Sequence, residues 1–144
     1  MIHPILWAAL ISALAAQIYK VVVESLRERR FKLYRLFETG GMPSSHTATV
    51  SALAVGAWRA EGLASPLFAV CLVFGLYFVL EATGLRQEVG KQARVLNEIL
   101  DELIDHRHFP RERTRELLGH TWSEVFMGAI LGAAVALLMV RRSA

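Results

Sequence analysis

Gly40-Gly41-Met42-Pro43-Ser44-Ser45-His46 lies between a basic segment and an apolar run, and its reading decides how many times the chain can cross a bilayer. Pro43 fixes its own φ and biases Met42 away from helix, while Gly40 and Gly41 allow backbone to approach a ligand closely. The segment therefore turns and then launches a helix, with Ser44 or Ser45 as the natural cap. If the two serines are helical, the apolar run that follows, about Thr47 to Trp58, gains the length to span. Taken alone, the string suits either a plain helix start or a reactive loop. A second histidine at the mouth of an apolar helix, in Gly119-His120-Thr121-Trp122-Ser123-Glu124, favours the loop.

Outward from that stretch, apolar spans are expected at Pro4 to Val23, about Thr47 to Trp58, Leu63 to Leu80 and Trp122 to Val140. At 144 residues the length fits one domain, 1–144, yet 54% of residues are apolar and the charge is segregated between the spans, which points to a membrane protein. Ala13-Leu14-Ala15 imitates a signal-peptidase site, but no Lys or Arg precedes it, so the first segment reads as a retained span. The one cysteine, Cys71, falls mid-span and reads as a small buried apolar residue.

The net charge of +3 is too small to indicate nucleic acid, whereas its distribution is informative. Twelve of the sixteen Lys and Arg residues fall between spans one and two or between spans three and four, which four spans place on one face. Arg59, Arg141 and Arg142 fall on the other. The positive-inside rule sends the twelve to the cytoplasm of a multi-pass protein of the cell (inner) membrane.

Gln17 and Lys20, three apart, share a helix direction near the end of the first span, where Lys20 can also simply snorkel to the interface. Glu24 to Phe37 reads as an interfacial amphipathic segment. Small residues in the second span, and Gly128 and Gly132 in the fourth, predict a tightly packed pair. Beyond Glu81-Ala82-Thr83-Gly84-Leu85-Arg86, apolar residues from Val89 to Ile104 recur at helical spacing and predict an amphipathic helix of about twenty residues. Glu81 and Arg86 can form a structural ion pair there. His106 and His108 are two apart and flanked by arginines, so no metal site is expected.

Two histidines at the ends of closely packed helices, an acid after the second, and cations on the same face form a coherent phosphate site. One imidazole can attack phosphorus and a second can protonate the departing oxygen, while cations and helix N-terminal N–H groups hold the remaining oxygens. His120 and Glu124 are spaced i, i+4, so the carboxylate can orient the imidazole. Thr121-x-x-Glu124 is equally a capping-box pattern that would occupy Glu124 with backbone N–H groups.

Met42-Pro43-Ser44-Ser45-His46 and Gly119-His120-Thr121-x-x-Glu124 resemble the second and third signature motifs of the type 2 phosphatidic acid phosphatase superfamily, which includes the vanadium haloperoxidases. Gln17-x-x-Lys20, Gly40 to His46, Glu81-Ala82-x-Gly84-Leu85-Arg86, Gln92, Leu96-Asn97 and Glu116-x-x-Gly119-His120 resemble its small divergent bacterial and plant branch. That resemblance covers nearly the whole chain. It implies His120 as nucleophile, Glu124 as its orienting carboxylate, His46 as general acid, and Lys20, Ser44 and Ser45 as phosphate binders. Arg86 and Arg115 are further phosphate-binding candidates, and Gln17, Gly41, Glu81 and Asn97 supporting ones. The chain departs from the superfamily pattern at Ser45, where glycine is usual, at Glu124 for aspartate, at Glu28 for proline, and at Thr114, which stands at the third-motif arginine with Arg113 and Arg115 on either side. Glu81 replaces the branch's aspartate.

The expected protein is an all-α integral membrane bundle of about four transmembrane helices with interfacial amphipathic helices. Its expected activity is hydrolysis of a lipid phosphate monoester or diphosphate without a metal or other cofactor, with the site facing the cytoplasm. The implied partners are the lipid phosphate substrate and the bilayer, not nucleic acid, and self-association into a homo-oligomer is left open. The rival is a catalytically silent membrane protein that binds anionic lipid headgroups through its basic loops.

Overall fold

The computed structural model describes residues 3–28, 41–104 and 121–142. Every regular element among them is helical: α1 (Pro4–Glu28), α2 (Ser45–Glu61), α3 (Pro66–Thr83), α4 (Leu85–Ile104) and α5 (Trp122–Met139). Of the segment Glu24 to Phe37, expected to be interfacial and amphipathic, the first five residues continue α1 to Glu28 and residues 29–37 lie outside the described residues.

The sorting of side chains is inverted relative to a water-soluble bundle. On α1 the buried positions are Ile5, Ala8, Ala9, Ser12, Ala16, Lys20 and Val21, a three-and-four spacing that selects small and polar residues. Leu6, Trp7, Leu10, Ile11, Leu14 and Ile18 point outward. On α3 only Gly75, Ala82 and Thr83 are buried, while Leu67, Val73, Phe74, Leu76, Phe78 and Leu80 are exposed. Contiguous apolar surface of that extent is stable only where the solvent is itself apolar, and in lipid it is small residues that let helices approach. Three stretches are long and apolar enough to cross a membrane: Pro4–Leu26, Trp122–Met139 and the helical stretch that begins at Pro66.

The second expected span is the shortest helix among the described residues. Helix α2 does take in the serine turn, starting at Ser45 and running to Glu61, but its 17 residues rise only about 25 Å and it does not stand among the three apolar spans. It is the hub instead, packed against α1, α3 and α5. With neighbours covering most of its surface, it has no need of the all-round apolar surface that a lipid-facing span requires. Its inner stripe is Thr47, Ala48, Ala52, Gly56 and Ala57.

Contacts along the hub fix the topology. Ser44 and Ala48 meet Gly128 and Gly132, and the Ser51 hydroxyl donates to the Ala129 carbonyl at 2.8 Å, so α2 and α5 run parallel. At their far ends Arg59 Nε donates to the Val140 carbonyl at 3.2 Å. Ile5 packs on Gly56 and Val140, so α1 is antiparallel to both, and the Ser12 hydroxyl donates to the carbonyls of Ala9 and Ala48 at 2.8 and 3.2 Å. Such hydroxyl-to-carbonyl bonds act as interhelical links where no water competes. Helix α3 returns antiparallel to α2, its first turn capped by Ser65, with Pro66 at the position where a missing N–H costs nothing. At Gly84 the chain breaks and passes into α4, which packs chiefly on α3 and matches the expected amphipathic helix.

The closest approach is at Gly132, where an added methyl would overlap the Ala48 carbonyl and lie 2.8 Å from its carbon. Gly132→Ala is therefore expected to destabilise the fold by about 1–3 kcal/mol, read as a lowered unfolding temperature in detergent. At Gly75 the same methyl would sit at an ordinary 3.6 Å from Val50 Cβ, so Gly75→Ala is expected to leave that temperature nearly unchanged.

Candidate functional site

The parallel pairing of α2 with α5 brings both N-termini to one end of the bundle, and the antiparallel α1 delivers its C-terminal turns to the same place. The Ser44 N–H donates to the Glu124 carbonyl at 3.0 Å, joining the two histidine motifs through backbone. Lys20 is only 6% exposed, and its ammonium lies in the fields of the Glu124 and Glu24 carboxylates. Gly41 closes over it with φ +79°, a conformation costing an L-residue about 1–2 kcal/mol. A Cβ there would lie 3.6 Å from Lys20 Cδ and 3.9 Å from Glu24 Oε1. The Met42–Pro43 peptide is cis and Pro43 is buried.

Ser44 is fully buried and serves as the α2 cap, its Oγ accepting from the Thr47 N–H at 3.3 Å and the Thr47 hydroxyl at 3.2 Å. Of the two serines it is thus Ser44 that caps, and its hydroxyl is engaged inward. Ser45 and His46 occupy the first turn, where helix N–H groups lack intrahelical acceptors; Ser45 is half-buried and His46 exposed. The capping box of α5 is formed in full: the Thr121 N–H donates to Glu124 Oε2 at 3.0 Å and the Glu124 N–H to Thr121 Oγ1 at 3.3 Å. Helix α5 starts at Trp122 behind its Thr121 cap, and the expected relation between His120 and Glu124 lies outside the described residues. His120 precedes the cap, and Glu124 is oriented by backbone.

His120 and Arg115 lie outside the described residues, as does the side chain of Arg86. Gln17 sits one turn before Lys20 with its side-chain carbonyl oxygen buried. Glu81, half-buried, ends α3 near the same end of the bundle, and Asn97 is buried on α4. Lys20, Gly41, Ser44 and Glu124 are therefore brought together, with Ser45 and His46 in the adjoining turn. Among the described residues no group of three or more His, Cys, Asp or Glu side chains could hold a metal ion.

Glu24 is the member that sequence reasoning passed over. Its signal was the Lys20-x-x-x-Glu24 spacing, which puts both on one helix face. With it, Lys20 is a cation set between two carboxylates, beside two positive helix ends. The place attracts an anion, and the anion must compete with Glu24 and Glu124 for the ammonium.

Residues 1–135 match the model of the Divergent PAP2 family, and the chain belongs to that family. It is 34% identical over 145 residues to the uncharacterized membrane protein YuiD of Bacillus subtilis (strain 168), covering 93% of this chain and 92% of that protein. No solved structure matches it. Family, relative and the three apolar helices together make the chain a multi-pass membrane protein related to the PAP2 proteins.

Proposed function

We propose that this member of the family hydrolyses a lipid phosphate monoester or diphosphate at the α2/α5 end of the bundle, through a phosphohistidine on His120. The observation that carries the reading is the Ser44 N–H to Glu124 carbonyl bond, with buried Lys20 beside it. It supports the reading by joining Ser44 to Glu124 beside a cation, at the N-termini of α2 and α5. In the first step an imidazole nitrogen of His120 bonds to phosphorus, the bond from phosphorus to the lipid oxygen breaks, and His46 gives that oxygen its proton. In the second, water attacks the phosphohistidine, His46 takes the water's proton, and inorganic phosphate leaves. Lys20 and the first-turn N–H groups of α2 hold phosphate oxygens through both steps. Glu124 acts on Lys20 and on the α5 cap.

The test is phosphate release by the detergent-purified protein from phosphatidic acid, phosphatidylglycerol phosphate and an isoprenyl diphosphate, with orthovanadate as an inhibitor of the same cradle. Release from at least one, blocked by vanadate, is expected. The second reading, a silent protein that binds anionic headgroups, is favoured by the engagement of Glu124 Oε2 in the capping box. Absence of release from all three would select it.

The site is proposed to open to the cytoplasm, because the loops that join the spans at that end carry twelve of the sixteen basic residues. With Cys71 removed, Ser143→Cys is expected to react with a membrane-impermeant maleimide in intact cells and Thr39→Cys to be spared. The reverse pattern would place the chemistry outside.

A further inference from the structure

At the end of the bundle opposite Lys20, two hollows meet. One is an apolar groove of about 520 Å³ between α2 and α3, floored by Ala129 of α5 and running from Thr47 to Trp58 and Leu63. The other is a polar cleft of about 350 Å³ holding Arg59, Glu61 and Arg142, and Trp58 and Leu63 line both. The eleven helical steps from Thr47 to Trp58 rise about 16 Å, roughly the depth of one leaflet's hydrocarbon. None of the charged residues of the candidate site lines the groove at its Thr47 end. The charged mouth is at the far side.

The charges in that mouth are arranged as a pair of opposites. Arg59 is anchored by its Nε to the Val140 carbonyl at 3.2 Å, which aims the outer guanidinium nitrogens away from that bond. Among the described residues neither Arg59 nor Arg142 forms an ion pair with a carboxylate. Glu61 is held from the other side, its Oε2 accepting from the Ser65 hydroxyl at 2.6 Å. The cleft thus offers two forked cations and one fixed carboxylate, beside an apolar channel of single-leaflet depth and next to the Trp58 indole.

We infer that this composite hollow is a binding site for one phospholipid of the leaflet opposite the candidate active site, with a primary-amine headgroup of the phosphatidylethanolamine type. The phosphate meets Arg59 and Arg142, the ammonium donates to Glu61, and one acyl chain lies along the groove toward Thr47. A headgroup with no ammonium leaves Glu61 facing the phosphate unpaired, and a quaternary amine has no N–H to give it. The lipid fills the groove between α2 and α3.

The experiment uses the purified full chain in nanodiscs of equal parts phosphatidylethanolamine, phosphatidylglycerol and phosphatidylcholine, released stepwise into detergent and weighed by native mass spectrometry. Retention of one phosphatidylethanolamine per chain, severalfold over the other two, is expected. Arg59→Gln and Arg142→Gln are each expected to cut retention about fivefold, the worth of one arginine at a headgroup. Glu61→Gln is expected to keep a lipid but to lose the preference for the amine over phosphatidylglycerol. Ala54→Phe, filling the groove from α2 while leaving the arginines intact, is expected to abolish retention, with helical circular dichroism confirming that the variant is folded. Added inorganic phosphate at millimolar level is expected not to displace the lipid. Displacement by phosphate would reassign the cleft to free anions, and equal retention of the three lipids, or retention indifferent to these substitutions, would overturn the site.

Discussion

Replacing His120 by alanine is expected to reduce phosphate release from the best lipid substrate by roughly 10⁴-fold or more, to the level of the vanadate-inhibited protein. Loss of a covalent nucleophile removes the whole two-step route, and in other enzymes such a deletion costs as much as removal of the complete catalytic set. The fold should be indifferent to the change. Helix α5 begins with its own capping box, formed by Thr121 and Glu124 alone. An unfolding temperature equal to that of the parent, together with the lost activity, is the expected pair of results. Activity within tenfold of the parent would remove His120 from the chemistry.

His46→Ala is expected to behave differently because its effect depends on the leaving group. A lipid alkoxide is a poor leaving group, and protonation by a placed acid contributes about 10²- to 10⁴-fold. An aryl phosphate such as p-nitrophenyl phosphate departs without that proton. The variant is therefore expected to lose two to four orders of magnitude in kcat on the lipid and much less on the aryl ester. His46 stands exposed in the first turn of α2, one residue after Ser45 and behind the Ser44 cap, where a substitution leaves the cap bonds to Thr47 intact. Equal losses on both substrates would argue for a positioning role instead of an acid.

Local rules made much of this architecture readable. Gly128 and Gly132 announced the α2/α5 contact because at four-residue spacing they share a face, and only glycine admits the Ser44 and Ala48 carbonyls there. Pro66 and the Ser65 cap marked the start of α3, and the periodicity after Gly84 gave α4. The extent of α2 was harder to read. Its apolar run ends at Trp58, but the helix continues through Arg59 to Glu61, because Gly62 at φ +88° supplies the stop and polar residues at an interface need no apolar face. Glu24 escaped notice for another reason: its meaning depends on Gly41 folding back across α1, a contact between residues far apart in sequence. The capping box was legible as one of two uses for Glu124, and the backbone bonds decided that it forms.

The convergence of Lys20, Gly41, Ser44 and Glu124 on one end of the bundle is the basis for placing a covalent phosphotransfer there, and the intermediate itself can be sought. Purified protein incubated with a lipid phosphate carrying radioactive phosphorus, then quenched in denaturant, is expected to retain label that is stable in base and labile in acid, the stability of a phosphoramidate. The label should be absent from the His120→Ala protein and from protein preincubated with orthovanadate. Label of the same stability on the His120→Ala protein, or hydrolysis of the lipid with no labelled intermediate under rapid quench, would contradict the account.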